Sequence, residues 1–314
     1  MSTTAILMMA YGSPGSMADI EPYLLNVRGG RPTPPQGIEK VKARYAAIGG
    51  HSPLLEITRA QASALETRLN DISPNGAHRV FVGMRHWHPY IHETVQQIVD
   101  AGLTQAVALC LTPYSSPAST QAYWDQLDRA LTAVAAPVKV THVPAWHARP
   151  LFIAALAGKI RAALSEASGA TAADGKVIFT AHSLPVQAGQ ASELYAAQVA
   201  QTARAVAEQL GLAPERWELC YQSAGAAPGE WLGPSLEAAL DRLVQANITQ
   251  VLVAPIGFVS DHIETLYEID IQYAEEARAL GIANFRRAPA LNDSPLFIDC
   301  LADLVRKKTF TVQR

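Results

Sequence analysis

The stretch KVIFTAHSLP, residues 176–185, is an apolar, β-branched run that stops abruptly at Ala-His-Ser and then meets a proline. A short run of this kind, bounded by turn formers, predicts a buried strand with His182 at its carboxyl end. AILMMAYGSP, residues 5–14, repeats the pattern, with Tyr11 in the place of His182 and a proline three residues on. A second pair reinforces the first. VDAGLTQAVALCLTP (99–113) lines up with VQANITQVLVAPIGF (244–258). Both finish a helical pattern, turn at Gly102 or Asn247, and enter a strand through Thr-Gln. Two matches in the same order point to two similar halves rather than to a solenoid.

Further strand-like runs lie at 78–84, 137–143 and 217–222. Between the strands run amphipathic stretches such as ITRAQASALETRLNDI, IHETVQQIVDAG and LYAAQVAQTARAVAEQLG. Strand and helix in alternation predict βαβ units on parallel sheets. The fold class is therefore α/β, with two lobes, a boundary near residues 142–152, and a ligand cleft between them. The lobes are expected at 1–145 and 146–293. SPLFIDCLADLVRKK (294–308) reads as a last helix, with Ser294 as N-cap, Pro295 at the first helical position and basic residues at its end.

The chain has 314 residues, 49% apolar and 17% charged, with a net charge of −3. No basic stripe offers a nucleic-acid surface, so no nucleic-acid partner is expected. No segment reaches the ~18 to 20 apolar residues that span a bilayer. MSTTAILMMAYGSP lacks a basic n-region and reads as a strand rather than a signal peptide. Cys110, Cys220 and Cys300 are scattered and form no CxxC pair, so they are expected as buried small hydrophobes in a reducing, cytoplasmic setting. The pattern carries no P-loop, G-x-G-x-x-G, G-x-S-x-G or H-E-x-x-H.

In open parallel sheets ligands bind beyond the carboxyl ends of strands. His182 stands at such an end, where a neutral imidazole can accept a proton or ligate a borderline metal. VSDHIETLYEID (259–270) gathers Asp261, His262, Glu264, Glu268 and Asp270 just past another strand. On an α-helix the four-residue spacing puts Glu264, Glu268 and Gln272 on a single face. That row is either a solvated face or a set of oxygen ligands for a divalent cation. NVRGGRP sets Arg28 and Arg31 around a glycine turn, suited to docking carboxylates. His86, His88 and His92 in RHWHPYIHE are either loop packing or a metal cluster.

Taken together, MAYGSP, NVRGGRP, RYAAIGGHSPL, FTAHSLP, YQSAG…PGEWLGPSL and PIGFVSDHIETLYEIDIQY resemble the ferrochelatase family, in that family's order and nearly end to end. The resemblance implies a chelatase-like pair of Rossmann-like lobes, with the 294–314 helix packing back on the first. It implies a lyase of haem biosynthesis that inserts Fe2+ into a porphyrin. His182 and Glu264 would be the catalytic, iron-binding pair, with Glu268 a further metal-path residue. Tyr11, Arg28, Arg44, Tyr45, Ser52 and Tyr123 would bind the substrate. The AYG form at Tyr11 resembles coproporphyrin enzymes, which favours coproporphyrin III over protoporphyrin IX. Fe2+ is then a substrate, and no permanent cofactor or iron–sulfur cluster is expected. A monomer is expected, with room for transient contact with a membrane surface. A cobalt or sirohydrochlorin-type chelatase of the same fold, or a non-catalytic bilobal protein binding haem or metal, are the alternatives.

Overall fold

A computed structural model describes residues 3–73, 77–116, 120–134, 137–166, 175–186, 189–225 and 229–309. Part of the YQSAG…PGEWLGPSL motif (226–228) and the last five residues of the expected 294–314 helix lie outside the described residues. The chain divides into two units. Unit 1 comprises residues 1–113, 117–146 and 292–314, and unit 2 comprises 114–116 and 147–291.

Unit 1 holds strands β1 (Thr3–Ala10), β2 (Ala77–Met84), β3 (Gln105–Cys110) and β4 (Lys139–His142), all parallel, in the order β2-β1-β3-β4. Its helices are α1 (Ile20–Val27), α2 (Pro35–Ala47), α3 (Leu54–Ile72), α4 (Ile91–Asp100), α5 (Ala122–Ala133) and α10 (Pro295–Thr309). Unit 2 holds β5 (Lys176–His182), β6 (Trp217–Gln222), β7 (Gln250–Ala254) and β8 (Asn284–Arg287), again parallel, in the order β6-β5-β7-β8. Its helices are α6 (Pro150–Ser165), α7 (Gln190–Leu210), α8 (Leu236–Gln245) and α9 (Ala274–Ala279), the last preceded by a π-helix at Glu264–Tyr273.

The two sheets share one topology, and the sequence echoes fall on its equivalent parts. β1 and β5 are the second strand in each order, so Tyr11 and His182 leave equivalent strands. α4–β3 and α8–β7 are the second matched pair, and their turns use the same bonds. Gly102 (φ 70°) and Asn247 (φ 56°) take the left-handed conformation that ends helices. Leu103 and Ile248 then donate back to the carbonyls of Ile98 and Leu243 at 3.2 and 2.9 Å. From Ala5 to Ala10 β1 is apolar because it is buried on both faces, as a central parallel strand must be.

Three expectations change in detail. The run 250–258 leaves the sheet at Ala254, because Pro255 has no N–H for the ladder. Asn284–Arg287, with its two arginines, forms an edge strand that hydrophobic pattern does not reveal. The largest change concerns the acidic row. Glu264–Tyr273 closes on i→i+5 bonds, so a step of four falls short of a full turn and the three side chains do not form a straight α-helical row. α10 packs on α3 within unit 1, where Arg68 and Asp299 pair at 2.6 Å. The three cysteines are buried and form no disulfide. No described helix is long and apolar enough to cross a membrane.

Candidate functional site

β5 delivers His182 to the carboxyl edge of the unit 2 sheet, in register with Gln222 of β6. Two local contacts hold the strand exit. The Tyr195 hydroxyl, kept protonated by burial that pushes its pKa well up, donates to the His182 carbonyl at 2.9 Å. Gly257 folds the β7 exit onto β5, donating its N–H to the Thr180 carbonyl at 3.1 Å.

The ring of His182 sits with Nδ1 2.6 Å from the Ser183 carbonyl oxygen. A carbonyl only accepts, so Nδ1 carries a proton, and Nε2 is the ring nitrogen left to act at the site. That Nε2 lies 3.9 Å from Oε2 of Glu264, the first residue of the π-helix. His262 repeats the arrangement. Its Nδ1 is 3.0 Å from the Ser260 carbonyl, and its Nε2 is 4.0 Å from Oε1 of Glu264. Two imidazole Nε2 atoms thus flank the two oxygens of one carboxylate. Glu264 Oε2 is buried and makes no hydrogen bond, nor does either amide atom of Gln222, which is 1% exposed. Buried polar atoms without partners ask for one.

At 3.9 and 4.0 Å these pairs are too long for a direct hydrogen bond and leave room for a bridging cation. A divalent first-row ion such as zinc bonds nitrogen and oxygen at about 2.0–2.2 Å, so two ligands stand about 3.4 Å apart at a tetrahedral angle and about 4 Å apart at the widest. The His182–Glu264 separation suits an ion held between them. Among the described residues no three His, Cys, Asp or Glu side chains form a group that could hold a metal by themselves. Glu268 is engaged differently, accepting a short hydrogen bond from Ser223 Oγ. Ser223 holds φ at 61°, a costly conformation for a residue with a side chain. Gln272 is exposed.

The remaining expected residues lie in unit 1. Tyr11 is 44% exposed, its ring 4.6 Å from that of His86. His86 is buried and bonds Asn26 Oδ1 through Nδ1 at 2.9 Å. Burial, helped by Arg85, lowers its pKa to about 4. This chain of contacts ties Tyr11 to α1, two residues before Arg28. Arg28 and Arg31 are exposed and lock the glycine turn reciprocally, each Nε donating to the other's carbonyl at 3.2 and 3.1 Å. Arg44 is half-buried in the last turn of α2, beside buried Tyr45. Ser52 is buried and its Oγ accepts from Leu54 N–H at 3.3 Å. Tyr123, on α5, is also buried, under the guanidinium of Arg85 at 5.6 Å. Of the other histidines in RHWHPYIHE, His88 pairs with Glu93 at 2.8 Å, and it and His92, on α4, both pack on the ring of Tyr90.

Sequence reasoning named His182 and Glu264, which the structure brings together. It did not find Ser223 as the partner of Glu268, nor Gln222 beside His182. Both reach the site only through the β5–β6 pairing, which local pattern does not show.

Solved structures with this architecture define the fold class as that of the chelatases. SirB from Bacillus subtilis with Fe3+ superposes with a TM-score of 0.59 at 13% identity, over 98% of this chain and 96% of that one. The sirohydrochlorin chelatase SirB from Bacillus subtilis subspecies spizizenii in complex with cobalt gives 0.59 at 11%, over 98% and 95%. At the level of sequence the likeness is narrower. The ferrochelatase family profile matches residues 3–309, and the chain belongs to that family. It is 41% identical to the ferrochelatase of Geotalea uraniireducens, over 97% of each chain. It is 39% identical to that of Deinococcus radiodurans, over 98% of this chain and 96% of the other. It is 37% identical to the coproporphyrin III ferrochelatase of Geobacillus kaustophilus, again over 98% and 96%.

Proposed function

We propose that this chain is a lyase that inserts Fe2+ into a porphyrin in haem biosynthesis, with coproporphyrin III as its preferred ring. The observation that carries the reading is the pair of lone-pair donors, His182 Nε2 and Glu264 Oε2, facing each other at 3.9 Å. Family membership sets the reaction class. The preference for coproporphyrin III rests on Tyr11 at the first strand exit and on relatives named for that substrate.

Metallation exchanges two pyrrole N–H protons for one Fe2+. His182 Nε2 is the free base available for a pyrrole proton, since Nδ1 is committed to the Ser183 carbonyl. The imidazolium so formed would lie beside the Glu264 carboxylate, which stabilises it, and it would pass the proton to water before accepting the second, so that both protons leave the ring. The same lone pair cannot hold a proton and iron together, so ligation and proton acceptance alternate. Glu264 supplies a hard oxygen and His182 a borderline nitrogen, a set suited to a divalent iron that must be released again. Glu268 is assigned to the path of metal or protons. Tyr11 is assigned to iron contact, and Arg28, Arg44, Tyr45, Ser52 and Tyr123 to the ring and its propionates. We further assign it no permanent cofactor or iron–sulfur cluster and a monomeric, cytoplasmic state.

The test is an anaerobic assay of Fe2+ insertion into coproporphyrin III and protoporphyrin IX, beside Co2+ with sirohydrochlorin. Faster turnover of coproporphyrin III is expected. Preference for protoporphyrin IX overturns the substrate assignment, turnover of sirohydrochlorin alone overturns the reaction, and binding without turnover overturns catalysis.

A further inference from the structure

Arg287, the last residue of β8, is a charged side chain that the chemistry above does not use. It spends three N–H groups on two carboxylates. Nε and Nη2 bond the two oxygens of Asp270, each at 2.8 Å, and Nη1 bonds Asp261 Oδ1 at 2.8 Å. The Arg287 side chain is only 10% exposed. A planar fork that satisfies one carboxylate bidentately while holding another is a rigid geometric constraint, unlike a single surface ion pair.

The two carboxylates bracket the working segment. Asp261 precedes Glu264, and Asp270 follows Glu268 within the π-helix. Asp261 also accepts from the Thr265 hydroxyl at 3.3 Å, which brings the first π turn into the same network. π-helical turns are rare and occur mostly singly, so a ten-residue run needs outside restraint to keep its register. β8 supplies a firm base, since Arg287 pairs with Val253 of β7, a buried core strand. If the segment relaxed to i→i+4 bonding, its residues would rotate and Glu264 would leave its place opposite His182.

We propose that Arg287 is a positioning residue, a strut from the edge strand that ties the entry to the π-helix at Asp261 to its interior at Asp270 and so holds Glu264 Oε2 in register with His182 Nε2. The inference rests on the reading of that pair as the iron-handling site.

The test compares wild type with Arg287→Met, Arg287→Lys and Asp270→Asn, each followed by separate titrations of Fe2+ and porphyrin and by thermal unfolding. Removing a group that orients a metal ligand costs roughly 10- to 100-fold in metal affinity. Arg287→Met is expected to raise the KM for Fe2+ at least tenfold while the KM for porphyrin moves less than twofold. Asp270→Asn, which keeps the Asp261 bond, should shift it in the same direction by less. Arg287→Lys should rescue only in part, because an ammonium cannot bridge both carboxylates with a fixed fork. An unchanged KM for Fe2+, a parallel rise in both KM values, or full rescue by lysine overturns the proposal. Should Arg287→Met fail to fold, Asp270→Asn decides by the same criterion. A wild type that turns over no iron sinks the functional reading itself, whereas an active wild type with unaltered variants sinks only the strut.

Discussion

Gly257 presses against Ala181 so closely that a Cβ at position 257 would stand 2.7 Å from the Ala181 Cα and 2.8 Å from its Cβ. The exit of β7 therefore lies against the exit of β5, one residue before His182. The contact explains why the chain turns through Pro-Ile-Gly there, and it makes position 257 a support for the site. Gly257→Ala should cost about 1–3 kcal/mol, as overpacking does. Since the strain falls on the backbone beside His182, metallation should drop more steeply than stability. A denaturant midpoint and an Fe2+ assay on the same sample check this. Unchanged values in both would mean that the two strands part without cost.

Ser223 donates to Glu268 from a left-handed backbone conformation. Two opposed effects can be separated there. Ser223→Ala loses a hydrogen bond to a carboxylate, worth about 1.5–3 kcal/mol, and keeps the backbone cost. Ser223→Gly loses the same bond but relieves a cost of about 1–2 kcal/mol. The glycine variant should therefore be the more stable of the two, by about 1 kcal/mol. Urea unfolding of the pair measures the difference, and an alanine variant equal to or better than glycine contradicts the strain.

Much of the architecture can be read along the chain because β1 and β5 are buried on both faces over most of their length, and burial there forces mostly apolar runs. The turns at Gly102 and Asn247 are equally readable, since a left-handed helix end selects those residues. The π-helix was hidden. ETLYEIDIQY fits an α-helical spacing, and its actual bonding depends on partners such as Arg287, seventeen residues beyond Asp270. β8 was hidden for a related reason. Its side chains Arg286 and Arg287 serve the Ala163 carbonyl and the two aspartates rather than a hydrophobic face. At the site, His182 and Glu264 belong to contiguous motifs, whereas Ser223 meets Glu268 only after β6 pairs with β5.

His86 sets a pH dependence of stability. Burial, with Arg85 second, lowers its pKa from 6.5 to about 4, so the folded protein keeps the ring neutral where an unfolded chain would protonate it. Between those values the unfolded state binds the extra proton. Its contribution is complete above pH 6.5 and drains away as the pH falls toward 4. His86→Gln retains a donor for Asn26 and removes the titration. Its unfolding midpoint should fall less than that of wild type over this window, and the two curves should run parallel below it. Identical slopes throughout the window would show that His86 does not titrate as its burial requires.

The last prediction separates the two members of the iron-facing pair. His182→Ala removes the imidazole at the β5 exit, and general-base groups contribute roughly 100- to 10,000-fold. Its kcat should fall at least 100-fold, while porphyrin still binds, as followed by quenching of porphyrin fluorescence. Glu264→Gln keeps the shape and removes the charge, so it loses the hard anionic oxygen while His182 Nε2 stays free. The expected mark is a raised KM for Fe2+ with kcat less affected, because ion capture suffers before proton transfer does. The two substitutions should not add, since the groups face one another at 3.9 Å and act on one event. Fully additive losses in the double variant would mean that imidazole and carboxylate work on separate steps, and the shared site would have to be given up.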